Sequence, residues 1–229
     1  MIIGIIGAMD SEMANLIKGL ENKNTKTLFN QTFYEAKLNN HHVIATTCGI
    51  GKVNSAISTT LLINEYQPDI ILNVGIAGGA IGLDTADILI ANEFIYSDFD
   101  TTVFGYEYGQ VPGMPKSFKA DPKYIEIIKK ALDELQLNYK EGIVLTGDKF
   151  MSSKKDIINN ITTTYATEME GASIAHACYR MNIPFASIRI ISDILDSENH
   201  IADYSAFEKE ASALASNIAL KVINILCKW

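Results

Sequence analysis

The amino-terminal segment, residues 2–20, reads IIGIIGAMDSEMANLIKGL. Its first residues form an apolar run that ends at Gly7, which predicts a strand buried on both faces. The residues that follow repeat apolar side chains at helical spacing, which predicts a helix over 11–20. Its apolar positions are Met13, Leu16, Ile17 and Leu20. A buried strand that passes directly into a helix is typical of α/β proteins.

The same alternation continues along the chain. Further strands are predicted over 70–74, 86–95, 142–146 and 185–191, and further helices over 51–65, 121–136 and 170–181. A last helix carries one apolar stripe of Phe207, Ala211, Leu214, Ile218 and Ile225.

Two segments break the alternation. Residues 27–48 alternate loosely around Asn39 and Asn40, which predicts a hairpin with antiparallel pairing and the adjacent His41 and His42 at the surface. Residues 97–117 are rich in aromatic residues, glycine and proline without a period, and a loop of that length is usually functional. We expect one α/β domain over residues 1–229, with a mixed, mostly parallel sheet flanked by helices.

Composition excludes several classes of protein. The 229 residues are 48% hydrophobic, which suffices for a sizeable core without disulfides or a metal. A formal net charge of −8 and the presence of two arginines, Arg180 and Arg189, disfavour nucleic-acid partners. No run of 18 apolar residues predicts a membrane span.

The cysteines and the first residues bear on the compartment. Cys48, Cys178 and Cys227 are widely spaced among apolar neighbours, as is typical of reduced thiols in a core. The segment MIIGIIGAM lacks a basic leader and a cleavage site. We therefore expect a soluble, cytoplasmic protein.

Ligands of α/β sheets bind at the carboxyl ends of the strands. Glu12 follows the first predicted strand, Asp193 follows the strand at 185–191, and Glu168 and Glu170 lie at a strand-to-helix junction expected where the helix at 170–181 begins. Each has a structural explanation alone, as a charge at a helix start or as a cap. Glu168 and Glu170 should project to the same side if both lie on a strand end. Together, the four acids favour carboxylate chemistry.

Other catalytic patterns are incomplete. GIAGG at 75–79 does not complete a dinucleotide fingerprint, and GIGK at 49–52 does not complete a phosphate loop. The GIAGG segment is either a tight strand-to-helix turn or a place of close backbone approach to a ligand. The histidines (His41, His42, His176 and His200) lack metal-ligand spacing, and no nucleophile elbow is present. We expect no metal and no cofactor.

Six ordered blocks carry a resemblance to a known family. They are GIIGAMDSE at 4–12, CGIGKVNSA at 48–56, FGYEYGQVPGMP at 104–115, TGDKFM at 146–151, EMEGASIAH at 168–176 and RIISD at 189–193. Together they resemble the 5′-methylthioadenosine/S-adenosylhomocysteine nucleosidase family, within the purine nucleoside phosphorylase superfamily. The resemblance runs over nearly the full length and implies hydrolysis of the N-glycosidic bond of adenine thionucleosides.

The resemblance also implies residue roles. Asp193 resembles the acid that protonates adenine N7, and Glu12 the base that takes a proton from the attacking water, which Arg189 helps to orient. Glu170 resembles the residue that holds the ribose hydroxyls, and Phe150 the aromatic that stacks on adenine. The residues expected to bind substrate are Met9, Ile50, Ile76, Ala77, Gly78, Phe150, Met151, Glu168, Met169, Glu170, Arg189, Ser192 and Tyr204.

A homodimer is implied as well, because the family's aromatic loop closes the neighbouring subunit's pocket. The matching residues here are Thr101, Phe104, Tyr106 and Pro112. Four positions depart from the family's common residues: Ile76 replaces serine, Ser97 histidine, Phe99 alanine and Thr101 valine. We hypothesise that these departures bias the preference for the 5′ substituent.

Three alternatives remain at this point. A phosphate-dependent purine nucleoside phosphorylase shares the fold, but two arginines are few for holding a phosphate dianion beside the sugar. A nucleoside-binding or storage protein would keep the fold without turnover. A dinucleotide-dependent oxidoreductase ranks last, since its fingerprint is incomplete.

Overall fold

The computed structural model describes residues 1–38, 40–156, 161–198 and 200–227. Its strands are β1 (Ile2–Gly7), β2 (Asn24–Leu28), β3 (Gln31–Leu38), β4 (His41–Thr47), β5 (Ile70–Ile81), β6 (Ile88–Tyr96), β7 (Phe118–Lys119), β8 (Lys140–Thr146), β9 (Tyr165–Glu168) and β10 (Phe185–Ile194). Its helices are α1 (Asp10–Gly19), α2 (Lys52–Tyr66), α3 (Pro122–Glu134), α4 (Gly171–Met181) and α5 (His200–Leu226). The helices and strands expected from periodicity are thus confirmed.

β1 lies inside the sheet, between β4 and β5, and is parallel to both. A strand in that position is covered on both faces, which explains its uninterrupted apolar sequence. Ile3, Ile5 and Ile6 are fully buried. The amino-terminal segment therefore sets the centre of the core, and α1 follows it after two residues.

Five strands close into a ring. β5 pairs with β10, β10 with β6, β6 with β8, β8 with β9, and β9 returns to β5. β1, β4, β3 and β2 extend the sheet outward from β5. Because each strand of the ring has a partner on both sides, the ring has no free edge. The carboxyl ends of β1, β5 and β10 lie at the same end of the sheet because these strands are parallel.

Among the described strands, parallel and antiparallel pairings are equally common, with five of each. Parallel pairing joins β1 to β4 and β5, β5 to β10, and β8 to β6 and β9. Antiparallel pairing joins β2 to β3, β3 to β4, β5 to β9, and β6 to β7 and β10. The expected α/β fold with flanking helices is confirmed, and its antiparallel share extends beyond the β3–β4 hairpin.

β5 corrects one expectation. The strand predicted over 70–74 continues through the GIAGG segment to Ile81, so this segment is not a strand-to-helix turn. Glycine is uncommon inside strands and often marks a place where other groups approach the backbone closely. The pairing partners across this segment are residues of β10 and β9.

The predicted hairpin is confirmed as β3 and β4, although Asn39 of its turn lies outside the described residues. His42 is exposed and His41 half-buried. β2 was not predicted, because its sequence NTKTL is largely exposed and has no apolar alternation. The apolar stripe of α5 packs against α1 and β10.

The three cysteines are buried and unbridged, as expected. In the described part of the chain, no helix has the length and apolar character to cross a bilayer.

Candidate active site

A pocket lies at the carboxyl ends of β1, β5 and β10. It brings together nearly all the substrate residues expected from the sequence, with the carboxylates of Glu12, Glu170 and Asp193 among them. Its lining is Ala8, Met9, Glu12, Ile50, Ile76, Ala77, Gly78, Lys149, Phe150, Met151, Thr167, Glu168, Met169, Glu170, Ser192, Asp193 and Tyr204. Ala8, Lys149 and Thr167 had not been singled out from the sequence.

Glu12 lies in the first turn of α1 and is 3% exposed. Its Oε2 accepts hydrogen bonds from the N–H groups of Ala8 and Met9 at 2.8 and 2.9 Å. Its Oε1 accepts one from the N–H of Ile76 at 2.9 Å. The carboxylate thus caps its own helix and also joins β1 to β5, so the structural and functional explanations of this residue are compatible.

Burial raises the pKa of Glu12, while the charge of Arg189 and the three backbone N–H groups oppose that rise. The net result is a raised pKa of Glu12. A buried carboxyl group with a raised pKa is a stronger base once it is ionised, which suits it to accepting a proton.

Gly75 allows Glu12 and Arg189 to approach each other. A Cβ atom at this position would overlap Oε1 of Glu12 and would lie 2.9 Å from Nη1 of Arg189. Gly78 has a similar role, because a Cβ atom there would lie 3.0 Å from Oδ2 of Asp193. Gly75 and Gly78 therefore make room for charged side chains, whereas a Cβ atom at Gly79 would meet the apolar side chains of Ile194, Ile191 and Leu83.

Glu168 ends β9, and its side chain is 4% exposed. Its Oε2 accepts hydrogen bonds from Nη2 of Arg189 at 2.8 Å and from the N–H groups of Glu170 and Gly171 at 2.9 and 2.7 Å. Its Oε1 accepts a short hydrogen bond from the hydroxyl of Thr146. The side chain of Glu168 therefore caps the first N–H groups of α4, which is one of the structural roles that the sequence allowed for it.

Glu170 is the N-cap residue of α4 and is 7% exposed. The strand has already ended at Glu168, so the expectation that both side chains project to the same side of one strand end does not apply. Oε1 of Glu170 accepts a hydrogen bond from the N–H of Gly51 at 2.7 Å, at the start of α2. Burial, followed by the negative charge of Glu168, raises the pKa of Glu170 to about 8.

Asp193 lies next to an irregularity in β10. Ile191 pairs with Ala77 and Asp193 with Gly78, so Ser192 is an extra residue in the ladder. Such a bulge bends a strand and changes the direction of neighbouring side chains. The Ser192 hydroxyl donates a short hydrogen bond to Oδ1 of Asp193, which is 1% exposed. Asp193 therefore belongs to the strand itself, not to a turn after it.

Arg189 is buried behind the pocket, in the same strand as Asp193. Its Nη2 donates to Oδ1 of Asn73 as well as to Glu168. Its charge acts on both Glu12 and Glu170, in each case lowering the pKa. One buried cation thus stands among three buried carboxyl groups.

The apolar wall of the pocket is aromatic. The rings of Phe150 and Tyr204 meet edge to face with centroids 5.3 Å apart, and the Tyr204 hydroxyl lies 3.9 Å from the sulfur of Met9. Phe150 and Ile50 are about half exposed at 48% and 51%. These side chains therefore line a cavity that is partly open to solvent.

The lysine of the GIGK segment has a different role from that in a phosphate loop. Nζ of Lys52 lies 2.6 Å from both carboxylate oxygens of Asp98 and 3.6 Å from Asp148. The Lys52 N–H also donates to Asp148 at 2.9 Å. Two carboxylates neutralise this lysine, so it ties together three loops near the pocket and does not present a free charge to phosphate.

The aromatic loop does not reach the pocket of its own chain. Thr101, Phe104, Tyr106 and Pro112 are absent from the pocket lining given above. Phe104 is 76% exposed. On α2, Val53 and Ile57 are also exposed and lie four residues apart, on one face of the helix.

The chain matches known proteins along almost its entire length. A family profile described as the phosphorylase superfamily matches residues 2–224. A 5′-methylthioadenosine/S-adenosylhomocysteine nucleosidase from Exiguobacterium sp. is 40% identical over 227 residues, covering 97% of this chain and 97% of that protein.

Solved structures resemble the fold closely. A 5′-methylthioadenosine/S-adenosylhomocysteine nucleosidase from Neisseria meningitidis, in complex with methylthio-immucillin-A, has a TM-score of 0.91 and 32% identity, covering 97% of this chain and 98% of that one. An S-adenosylhomocysteine nucleosidase from Streptococcus pyogenes, in complex with 5-methylthiotubericidin, has a TM-score of 0.92 and 32% identity, covering 99% of this chain and 97% of that one.

Proposed function

This chain belongs to the 5′-methylthioadenosine/S-adenosylhomocysteine nucleosidases of the phosphorylase superfamily, and from this premise we propose how its residues perform the reaction. The enzyme is an N-glycosyl hydrolase of adenine thionucleosides, which yields adenine and a 5-thioribose product. The observation that carries our proposal is the convergence of Glu12, Glu170 and Asp193, each buried, on one pocket.

We assign the general acid to Asp193. The C1′–N9 bond breaks with its electron pair passing to the purine, and Asp193 gives a proton to adenine N7. A carboxyl group is suited to this step when it is buried and held against rotation. The Ser192 hydrogen bond and the close packing of Gly78 hold Asp193 in one position.

We assign the general base to Glu12. The oxygen of a water molecule attacks C1′ from the face opposite adenine, and its proton passes to Glu12. Arg189, held by Asn73 and Glu168 on the far side of Gly75, orients this water. The charge of Glu12 would repel a phosphate dianion at the same place, which favours water over phosphate as the nucleophile.

Glu170 holds the ribose hydroxyls and opposes the positive charge that develops on the sugar. Phe150 stacks on adenine, and the backbone of Met151 meets the purine edge. Met9, Ile50 and Tyr204 surround the ribose and the 5′-thio substituent. Their apolar and aromatic surfaces, together with the carboxylates in the same lining, suit a nucleoside.

We further propose a cytoplasmic homodimer in which the loop 97–117 of one subunit covers the pocket of the other. Phe104 is exposed in the single chain, and the exposed Val53 and Ile57 form an apolar stripe on α2. Exposed apolar side chains of this kind are typical of interfaces between subunits. The enzyme would then act in the salvage of methionine and adenine.

Product analysis tests the reaction. The enzyme is incubated with methylthioadenosine, S-adenosylhomocysteine and inosine, each with and without phosphate, and the free base and sugar are quantified by chromatography. We expect adenine and a free 5-thioribose from the first two substrates in both conditions. A sugar 1-phosphate formed only with phosphate would identify a phosphorylase instead, and binding without base release would identify a storage protein.

Two variants test the assigned roles. Asp193→Asn and Glu12→Gln should each lower kcat by about 10² to 10⁴, as is usual for loss of a general acid or base. Asp196→Asn is the matched control, because Asp196 is an exposed aspartate that accepts hydrogen bonds from Ser153 and Lys154 outside the pocket lining. The same assays compare kcat/KM for the two thionucleosides, and equal values would contradict the proposed bias in 5′ preference.

A further inference from the structure

Glu168 was expected to bind substrate, but its carboxylate already accepts four hydrogen bonds from the protein. An ionised carboxylate offers about four lone-pair sites for hydrogen bonds. The donors to Glu168 are Nη2 of Arg189, the N–H groups of Glu170 and Gly171, and the hydroxyl of Thr146. Three of these donors share Oε2 and one binds Oε1, so most of the acceptor capacity of Glu168 is used within the protein.

Glu170 differs in this respect. Within the described residues it accepts a hydrogen bond from the N–H of Gly51, which leaves further acceptor positions open towards the pocket. Both glutamates line the cavity, but their environments are distinct: Glu168 accepts four hydrogen bonds from the protein, and Glu170 accepts one from the N–H of Gly51. Their roles should differ accordingly.

One oxygen of Glu168 connects two parts of the site. Oε2 contacts Arg189, which comes from β10, and the backbone of Glu170 and Gly171, where α4 begins. The start of a helix favours a negative charge, and Arg189 supplies a second favourable contact with that charge. Glu168 therefore fixes the guanidinium relative to the backbone that carries Glu170.

Resting on the function proposed above, we propose that Glu168 is a positioning residue, which holds the water-orienting Arg189 and the ribose-binding Glu170 in one geometry. Asn73 supports the same Nη2 of Arg189 from β5 with a neutral oxygen. The site thus contains a charged and an uncharged support for one guanidinium, and the two supports can be removed separately.

Loss of the charge of Glu168 has a predictable sign. The titratable or charged groups around it are Arg189 on β10, Glu170 before α4, Tyr96 on β6 and, across Gly75, Glu12 on α1. Without Glu168 the charge of Arg189 is less compensated, so the ionised forms of Glu12 and Glu170 are favoured. In a plot of kcat against pH, the acid limb should then move to lower pH.

The test is Glu168→Gln, assayed for adenine release from methylthioadenosine across pH. We expect kcat to fall about 10- to 100-fold, since a misplacement of about 1 Å can cost about 100-fold. KM should stay within about threefold of wild type, and the acid limb should shift to lower pH. Asn73→Ala should lower kcat without moving the limb, because it removes no charge.

Glu93→Gln is the matched control, since it removes a glutamate ion-paired to Lys119 at 2.6 Å outside the pocket lining. The proposal is overturned if Glu168→Gln leaves kcat unchanged, if it raises KM alone, or if kcat falls with no shift of the limb. The second outcome would make Glu168 a substrate ligand, and the third a purely structural residue. Failure of the wild-type enzyme to release adenine would instead overturn the proposed function.

Discussion

Gly75 shows how a single residue without a side chain shapes the site. Any Cβ atom there would displace Glu12 and crowd Arg189. We expect Gly75→Ala to lower kcat by about 100-fold, because a shift of about 1 Å in a reacting group has that effect. Steady-state assays check this value. Gly19→Ala is the control, because its Cβ would meet the movable methyl groups of Leu220, and unchanged activity in Gly75→Ala would contradict the argument.

Glu170 gives the free energy of unfolding a pH dependence. Its pKa is about 8 in the folded enzyme, whereas the pKa of a glutamate in an unfolded chain is about 4.3. The folded state therefore binds the proton more tightly, and the stability that this provides is full below about pH 4 and is lost as pH rises through about 8.

Glu170→Gln should remove this decline in stability. Urea denaturation at pH 5, 7 and 9 measures it, with a flatter fall in unfolding free energy expected for the variant than for wild type. Glu21→Gln changes an exposed glutamate and should keep the wild-type slope. Parallel slopes for Glu170→Gln and wild type would show that Glu170 does not hold the proton.

For single residues, the sequence predicted where the acidic side chains of the site lie along the chain better than it predicted which side chains contact each other. Glu12 and Asp193 lie together because β1, β5 and β10 are parallel and end together, whereas Glu168 and Glu170 follow β9, which is antiparallel to β5. The network of Lys52, Asp98 and Asp148 was missed, because its members are distant in sequence and none belongs to a recognisable pattern. Contacts of this kind depend on how loops fold over one another, which periodicity does not describe.

Among the elements, the loop 97–117 has the most direct link to the proposed assembly. If Phe104 covers the pocket of a neighbouring subunit, Phe104→Ala should raise KM for methylthioadenosine about tenfold or more and change kcat less. Initial rates over a range of substrate concentrations separate the two constants. Val103→Ala is the control on the same loop, and an unchanged KM in Phe104→Ala would leave that aromatic without a role in binding.

The elements also show where periodicity fails. β5 was expected to stop at Val74, because glycine usually interrupts a strand. The strand continues to Ile81, and its glycines leave room for side chains of neighbouring elements. β9 is four residues long and β2 is largely exposed, so neither has a clear apolar pattern. Long buried strands such as β1 were predictable because burial on both faces leaves one choice of residue type.

For the whole molecule, the proposed dimer is the main open prediction. Ile57→Asp places a charge on the apolar stripe of α2 and should shift sedimentation from dimer to monomer, with loss of activity. Leu135→Asp is the control, because Leu135 is 39% exposed at the end of α3, a helix that packs against α5, β6 and β10. A dimer that persists in Ile57→Asp would place the interface elsewhere.

The closed ring of β5, β10, β6, β8 and β9 also determines how a nucleoside gains entry. The floor of the cavity is formed by strands that cannot separate without breaking the ring, so no hinge divides it. We expect admission to depend on groups at the mouth of the cavity, namely Phe150, Tyr204 and, in the proposed dimer, the neighbouring subunit's loop 97–117, and not on closure of two domains. Ligand capture should then follow the opening of that loop while the strands beneath it stay in place.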